Sequence, residues 1–226
     1  MLDRTYDPVR FVVSTRLGET SEARSASDTP SGQSPRGPTT DRLDDLLGRH
    51  PGTELKLDPV PAWTDGLVSE IAATDSMRLL DLKGQYHGTV VDREPDPDLY
   101  ERVFEGFPNA VMEDPAITDD TRELVEANAG RISWGAPITS VEALLFEPDW
   151  LNVKPTRFGT VTSLLETIEH CVELGVGREG IQLFASLFYP DHPNDVAPGG
   201  YNDPELPADL SDSPLSPPDD PVGLSW

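Results

Sequence analysis

Acids, amides and lysines follow a series of short apolar runs, and these side-chain types suit metal-assisted proton transfer. Carboxylates from neighbouring strands hold hard cations such as Mg²⁺, which prefers oxygen ligands. An ammonium near such a cation has a lowered pKa and serves as a general base, while the metal stabilises an enolate-type anion. The alternative is that the lysines and acids form ion pairs that neutralise each other. The residues at the run ends are Lys56, Asp58, Asp81, Lys83, Glu113, Asp114, Asn152 and Lys154.

One structural unit repeats through the middle of the chain: a short apolar run, a turn and a helical pattern. Successive run ends lie 19 to 32 residues apart between Asp58 and Lys154. Short apolar runs bounded by turn residues are typical of buried parallel strands, and their alternation with helices predicts βα units. Ligand sites lie at the carboxyl ends of parallel strands, so we expect the run ends to share one neighbourhood.

The predicted fold class is α/β, a (β/α) TIM-type barrel with parallel strands and outer helices. Six or seven strand candidates are present where a complete barrel needs eight, so the barrel is predicted to be incomplete. The last candidate is Gly180 to Phe188. A doubly wound sheet would show the same alternation, but no glycine-rich phosphate loop follows the first strand. Helix starts are predicted at Thr64, Asp98 and Ser163, and a helix end at Gly175.

Composition divides the chain into three parts. Residues 1–40 hold a first strand candidate and a loop rich in Ser, Thr, Gly and Pro. Residues 41–190 carry nearly all the patterned apolar sequence and form the predicted barrel domain. Residues 191–226 are acidic and proline-rich, contain no Lys or Arg, and are predicted to be extended or disordered.

The chain carries 41 acidic and 17 basic side chains, a formal charge of −24. This charge opposes binding to nucleic acid or to an anionic membrane surface. No apolar stretch is long enough for a membrane span, and the single cysteine, Cys171, excludes an intramolecular disulfide. These features predict a cytoplasmic protein, and homo-oligomer formation stays open.

Arginine replaces lysine almost throughout the sequence. Fourteen of the basic residues are Arg and three are Lys, which predicts adaptation to a high-salt cytoplasm; a merely acidic mesophilic protein is the alternative. All three lysines stand at run ends.

Three motifs resemble the enolase superfamily, closest to the muconate-lactonizing and o-succinylbenzoate synthase-like branch. They are Leu80 to Lys83, Val111 to Pro115 and Leu151 to Gly159, within a resemblance that covers roughly residues 10–200. The resemblance implies a lyase or isomerase that removes a proton α to the carboxylate of a small substrate with the help of Mg²⁺. The roles it implies are metal ligation by Asp81 and Glu113, catalysis by Lys154 with Lys56 in support, and substrate binding by Asn152 and Lys83.

Three features depart from that family. Gly135 stands at or next to the position where the family's fifth strand supplies a third metal ligand. The second strand reads Lys56-Leu57-Asp58 where the branch has a Lys-x-Lys pair, and an N-terminal capping domain is predicted to be lacking. The alternative function is therefore a non-catalytic barrel or binding module. A third possibility is an acidic interaction protein that acts through residues 191–226.

Two further residues carry side chains that are reactive in other proteins. His87 follows the third strand candidate and is predicted to be a solvated loop residue that could touch substrate. Cys171 stands beside His170, but adjacent helix residues point about 100° apart, and Cys171 is predicted to pack in the core.

Overall fold

The computed structural model describes residues 11–17, 38–89, 91–143, 150–154, 157–174, 177–179 and 194–196. Its helices are α1 (Asp41–Arg49), α2 (Asp65–Ala72), α3 (Pro97–Gly106), α4 (Arg122–Ala127) and α5 (Val161–Leu174), with short 3-10 helices at Ala129–Arg131 and Val141–Ala143. Its strands are β1 (Phe11–Ser14), β2 (Leu55–Leu57), β3 (Met77–Asp81), β4 (Val111–Glu113), β5 (Ile132–Trp134), β6 (Trp150–Asn152), β7 (Gly177–Glu179) and β8 (Asn194–Val196).

The strands form one parallel sheet in the order β7-β6-β5-β4-β3-β2-β1-β8. Strand β8 pairs with β1 in parallel, as the last strand of a closed barrel does. Among the described residues, no pairing joins β7 to β8. The predicted fold class, an incomplete α/β barrel, is confirmed. The strand candidates of the sequence did not include β7 and β8, and the candidate Gly180 to Phe188 lies outside the described residues.

The two faces of the sheet differ in polarity because successive side chains of a strand point to opposite sides. One face packs against the helices and belongs to a single hydrophobic cluster, to which β2 to β6 and the residue after β6 contribute Leu55, Leu57, Leu80, Met112, Ile132, Trp134, Leu151 and Val153. Most of the alternate positions carry buried polar side chains, namely Lys56, Asp81, Glu113, Ser133 and Asn152, whereas Leu79 and Val111 are apolar. The strand pattern therefore separates an apolar core from a polar interior at the strand ends.

Helix starts follow local capping chemistry, and two of the three predictions were wrong. Helix α2 is capped as predicted, with Thr64 Oγ1 accepting from Leu67 N over 3.3 Å. Helix α3 begins earlier than predicted, because Asp96 caps Leu99 N over 3.0 Å and Pro97 fits a first turn that needs no N–H donor. Ser163 lies inside α5, where its own N–H donates to Thr160 Oγ1 over 3.1 Å.

Arg131 connects α3 to the start of β5. Its guanidinium donates to the carbonyl oxygens of Phe104, Phe107 and Ala110 over 2.8, 2.9 and 3.2 Å. It also lies over the Phe104 ring, with Cζ 4.8 Å from the ring centre. Carbonyls at a helix end lack intrahelical donors, so Arg131 satisfies groups that α3 leaves open.

Cys171 is fully buried in the hydrophobic cluster, which confirms its predicted packing role. The predicted helix end at Gly175 lies outside the described residues. None of the helices in the described part of the chain has the length and apolar character needed to cross a bilayer.

Candidate functional site

Two buried carboxylates lie side by side at the ends of β3 and β4. Asp81 and Glu113 are register partners, and both side chains are fully buried. The Lys56 ammonium from β2 forms an ion pair with Glu113 and lies 3.7 Å from Asp81 Oδ2. Lys83, just after β3, pairs with Asp81 and lies 3.5 Å from Asp58 Oδ2. We call Lys56, Asp81, Lys83 and Glu113 the charge-paired half of the site.

Each carboxylate oxygen of Asp81 and Glu113 accepts from a protein donor. Asp81 Oδ1 accepts from Lys83 N over 3.1 Å, and Asp81 Oδ2 accepts from Lys83 Nζ. Glu113 Oε1 accepts from Asn152 Nδ2 over 2.6 Å, and Glu113 Oε2 accepts from Lys56 Nζ. Burial works to lower the pKa of Lys83, but the charges of Asp81 and Asp58 raise it above its ordinary value. The lysine–acid ion pairs of the sequence analysis are thus present for Lys56 and Lys83.

The side of the site next to β5 and β6 has open hydrogen-bonding capacity. We call Ser133, Gly135, Asn152 and Arg157 the β5–β6 half. Within the described residues, three of its buried polar atoms lack hydrogen-bond partners: Ser133 Oγ, Asn152 Oδ1 and Arg157 Nη1. A Cβ atom added to Gly135 would lie 2.6 Å from Glu113 Oε1 and 3.3 Å from Arg157 Nη1. The missing side chain at Gly135 therefore lets Glu113 and Arg157 approach each other.

Asp114 follows Glu113 but turns toward the backbone. Its φ of 50° is in the left-handed region, which residues other than glycine seldom adopt. Its carboxylate accepts from Gly135 N and Ala136 N over 2.7 and 2.8 Å. Burial, followed by the charges of Glu113 and Asp81, raises the pKa of Asp114 to about 7 despite these hydrogen bonds. Asp114 therefore fixes the β5 end rather than pairing with a lysine.

Tyr86 and Arg157 belong to the site but received no role from the sequence. Arg157 Nη2 donates to Tyr86 Oη over 3.1 Å, and Lys83 Nζ lies 5.0 Å from the Tyr86 ring centre. Burial and the Asp81 charge are the leading causes that raise the pKa of Tyr86 to about 12. The available signal was position: Tyr86 lies in the loop after β3, and Arg157 ends the Lys-Pro-Thr-Arg motif after β6.

The structure brings five predicted site residues into one contact network, namely Lys56, Asp81, Lys83, Glu113 and Asn152. Lys154 lies two residues after Asn152 at the same end of the sheet, is half-buried, and accepts at its carbonyl from Arg157 N over 2.9 Å. His87 lies in an exposed loop, as predicted.

A cavity of about 350 Å³ lies between the loops that follow β3 and β4. Its lining includes Gln85, His87, Arg93 and Thr118 but none of the residues of either half. It is therefore distinct from the contact network at the strand ends.

A family model described as the C-terminal domain of a domain of unknown function, DUF8230, matches residues 5–203. The chain belongs to this family. No curated protein matches the sequence.

Solved structures of enolase-superfamily proteins share the fold of this DUF8230 domain. A probable mandelate racemase from Alicyclobacillus acidocaldarius is 18% identical, with a TM-score of 0.56 over 87% of this chain and 52% of that chain. An enolase-superfamily member of unknown function from Enterococcus faecalis V583 is 16% identical, with a TM-score of 0.57 over 86% and 53%. A muconate cycloisomerase from Pseudomonas fluorescens is 16% identical, with a TM-score of 0.51 over 84% and 54%. The chain spans about half the length of these structures, and at such identities the likeness concerns the fold.

A divalent metal ion, which the resemblance implies, does not fit the side-chain arrangement of this site. The carboxylate oxygens that would ligate it already accept from lysine and amide donors. Gly135 supplies no third carboxylate, and a side chain there would collide with Glu113. Within the described ranges, no group of three or more His, Cys, Asp or Glu side chains is arranged to hold a metal. Two lysines supply the positive charge instead.

Proposed function

We propose that this domain binds a small carboxylate-bearing molecule at the β5–β6 half of the site. The observation that carries the proposal is the buried Arg157 Nη1, which has no partner within the described residues although each oxygen of the Asp81 and Glu113 carboxylates has a donor. A buried polar group without a partner costs about 1–3 kcal/mol. A ligand that supplies the missing acceptor would recover that free energy.

The chemistry of the unpartnered atoms favours a carboxylate with a second polar group. A guanidinium forms strong charge-assisted hydrogen bonds to carboxylates. Asn152 Oδ1 is an acceptor without a donor, so it suits a hydroxyl of the same ligand. The net charge of −24 repels anions at long range, and added salt screens that repulsion.

Isothermal titration calorimetry in concentrated KCl tests this proposal. The probes are mandelate and muconate, chosen because two of the similar structures are named as a mandelate racemase and a muconate cycloisomerase, together with succinate and acetate. We expect at least one hydroxylated or unsaturated acid to bind, and Arg157→Gln to weaken that binding by about tenfold or more, as expected for the loss of one charge-assisted contact.

The matched control is Arg122→Gln, which removes an arginine whose side chain is 54% exposed on α4. It should leave the affinity unchanged. Equal affinity of Arg157→Gln and the wild type, or no binding of any probe to the wild type, would contradict the proposal.

Metal-assisted proton abstraction by a lyase or isomerase is the second candidate. The adjacency of Asp81 and Glu113 at the ends of β3 and β4 favours it, as does Lys154 at the same end of the sheet. It requires a metal ion to displace the Lys56 ammonium from between the two carboxylates. Exchange of the α-proton of each probe acid with deuterated solvent is the test. Exchange that depends on Mg²⁺ and is lost in Lys154→Ala would establish this candidate instead.

The cytoplasmic location and the high-salt adaptation stay predictions. Cell fractionation would test the location, and unfolding curves measured at increasing KCl concentration would test the adaptation to salt.

A further inference from the structure

Lys56 occupies an unusual position for a lysine. It lies inside β2, and its side chain is 3% exposed. Its ammonium contacts carboxylates from two neighbouring strands, Glu113 on β4 and Asp81 on β3. These are the two residues to which the sequence resemblance assigns metal ligation.

Two fully buried carboxylates at neighbouring register positions need a cation close by. Like charges at adjacent positions repel each other, and a buried charge without a partner is strongly unfavourable. A divalent ion and a lysine ammonium both meet this need. The ammonium of Lys56 differs from a metal ion because it is covalently attached to β2 and cannot dissociate from the site.

We infer that the Lys56 ammonium is a built-in cation that takes the place of a divalent metal ion between Asp81 and Glu113. The site accepts Mg²⁺ only after Lys56 is neutralised. Gly135 contributes to this arrangement, because a side chain there would displace the Glu113 carboxylate that Lys56 contacts. The inference goes beyond ligand binding at Arg157, since it concerns the charge balance of β2, β3 and β4 whether or not a carboxylate binds.

Thermal unfolding of the full chain with and without millimolar Mg²⁺, at ionic strength matched with KCl, tests the inference. The wild-type Tm should not respond to Mg²⁺. Lys56→Met should lower the Tm by about 10 °C without Mg²⁺, because it leaves two buried carboxylates without their shared cation. Mg²⁺ should then restore about half of that loss.

Two control variants test whether the Mg²⁺ response depends on removal of Lys56 in particular and on the presence of both carboxylates. Lys83→Met removes the other ammonium, whose side chain is 15% exposed, and should show no Mg²⁺ response while Lys56 remains. The double variant Lys56→Met with Glu113→Gln should also lose the Mg²⁺ response, because only one of the two carboxylates remains. A wild type that responds as strongly as Lys56→Met, or a Lys56→Met variant that does not respond, would overturn the inference.

The double variant also decides the outcome if Lys56→Met does not fold. Removal of the Glu113 charge removes a large part of the charge that Lys56 balances, so the double variant should fold where the single variant does not. Failure of both variants to fold would mean that Lys56 acts through packing, and would overturn the inference. This failure leaves carboxylate binding at Arg157 untouched, since that binding is measured on the wild type.

Discussion

The charge-paired half and the β5–β6 half lie at the same end of one sheet but satisfy their polar groups differently. In the first, both carboxylates use all of their oxygens on lysine, amide or backbone donors. In the second, Ser133, Asn152 and Arg157 each keep one buried atom without a partner among the described residues. Asn152 joins the halves, since its amide nitrogen bonds to Glu113 while its oxygen stays unpartnered.

This difference separates the parts of the site that hold the fold from the parts that can recognise a ligand. Buried ion pairs that lose one partner leave an uncompensated charge, so the charge-paired half contributes to structure. Removal of an unpartnered polar atom breaks no hydrogen bond, whereas a ligand that pairs with such an atom gains binding free energy. Mutations should therefore act on stability in one half and on binding in the other.

The largest expected effect is in the charge-paired half. Glu113→Ala leaves the Lys56 ammonium without its nearest carboxylate and should lower the free energy of unfolding by about 3–5 kcal/mol. Urea unfolding followed by circular dichroism measures it. The control is Glu126→Ala, which removes an exposed partner of Arg122 and should cost less than about 0.5 kcal/mol. Similar losses in both variants would remove the distinction between the halves.

Asp114, between the two halves, should make stability depend on pH. Its pKa is about 7 in the fold and 3.8 as the ordinary value, so protonation favours folding. The stabilisation is complete below the unfolded pKa and is lost as the pH rises through about 7. Over this window the slope approaches about 1.4 kcal/mol per pH unit.

Urea unfolding at several pH values between those two pKa values measures this slope. Asp114→Asn should flatten it, whereas Asp119→Asn, at an exposed position, should retain it. An Asp114→Asn variant with the wild-type slope would show that another group is responsible.

Gly135→Ala tests how closely Gly135 packs against Glu113, where the two halves meet. The added methyl would meet Glu113 Oε1 at 2.6 Å, so one of them must move, at a cost of about 1–3 kcal/mol. Gly48→Ala in α1 is the control, because no atom lies within 4 Å of the added methyl, and it should stabilise the helix by about 0.5–1 kcal/mol. Equal and favourable effects of both variants would mean that Glu113 is not held as described.

Ser133→Ala should have the smallest effect. The Ser133 hydroxyl has no hydrogen-bond partner in the described structure, so its removal breaks no hydrogen bond and should leave stability unchanged or raise it by up to about 1 kcal/mol. The contrasting variant is Thr121→Val, whose buried hydroxyl donates to Ala116 O over 2.7 Å, and which should cost about 1–2 kcal/mol. A large loss in Ser133→Ala would indicate a partner that binds this hydroxyl in solution.

The sequence predicted which residues would meet because parallel strands end at one edge of a sheet. Strands β2, β3, β4 and β6 each carry a chemically distinctive residue at or near the end, and the structure brings Lys56, Asp81, Glu113 and Asn152 into contact. The barrel fold class follows from the alternation of short apolar runs with helical patterns and from the spacing of the run ends.

The remaining features depend on three-dimensional distances that a sequence pattern does not contain. The conformation of the Lys56 side chain decides whether its ammonium pairs with an acid or lies next to a metal ion, and a sequence does not specify that conformation. The sequence identifies Gly135 only as the position of a missing metal ligand, whereas its role also depends on how closely Glu113 and Arg157 approach it. Tyr86 was missed because a single tyrosine in a loop belongs to no periodic sequence pattern that would mark it as a site residue. Helix α3 begins before the predicted position because Asp96 and Pro97 together form a better cap than Asp98.

Arg131 has a consequence for how this domain opens. One guanidinium bonds the last turn of α3, the loop that leads to β4, and the entrance of β5. Segments held by a shared group tend to unfold as one cooperative unit. The amide hydrogens of α3 and β5 should therefore exchange with solvent at matched rates, and Arg131→Gln should let them exchange independently. Glu113 at the end of β4 and Gly135 just after β5 would then be positioned by a contact at the opposite end of these strands.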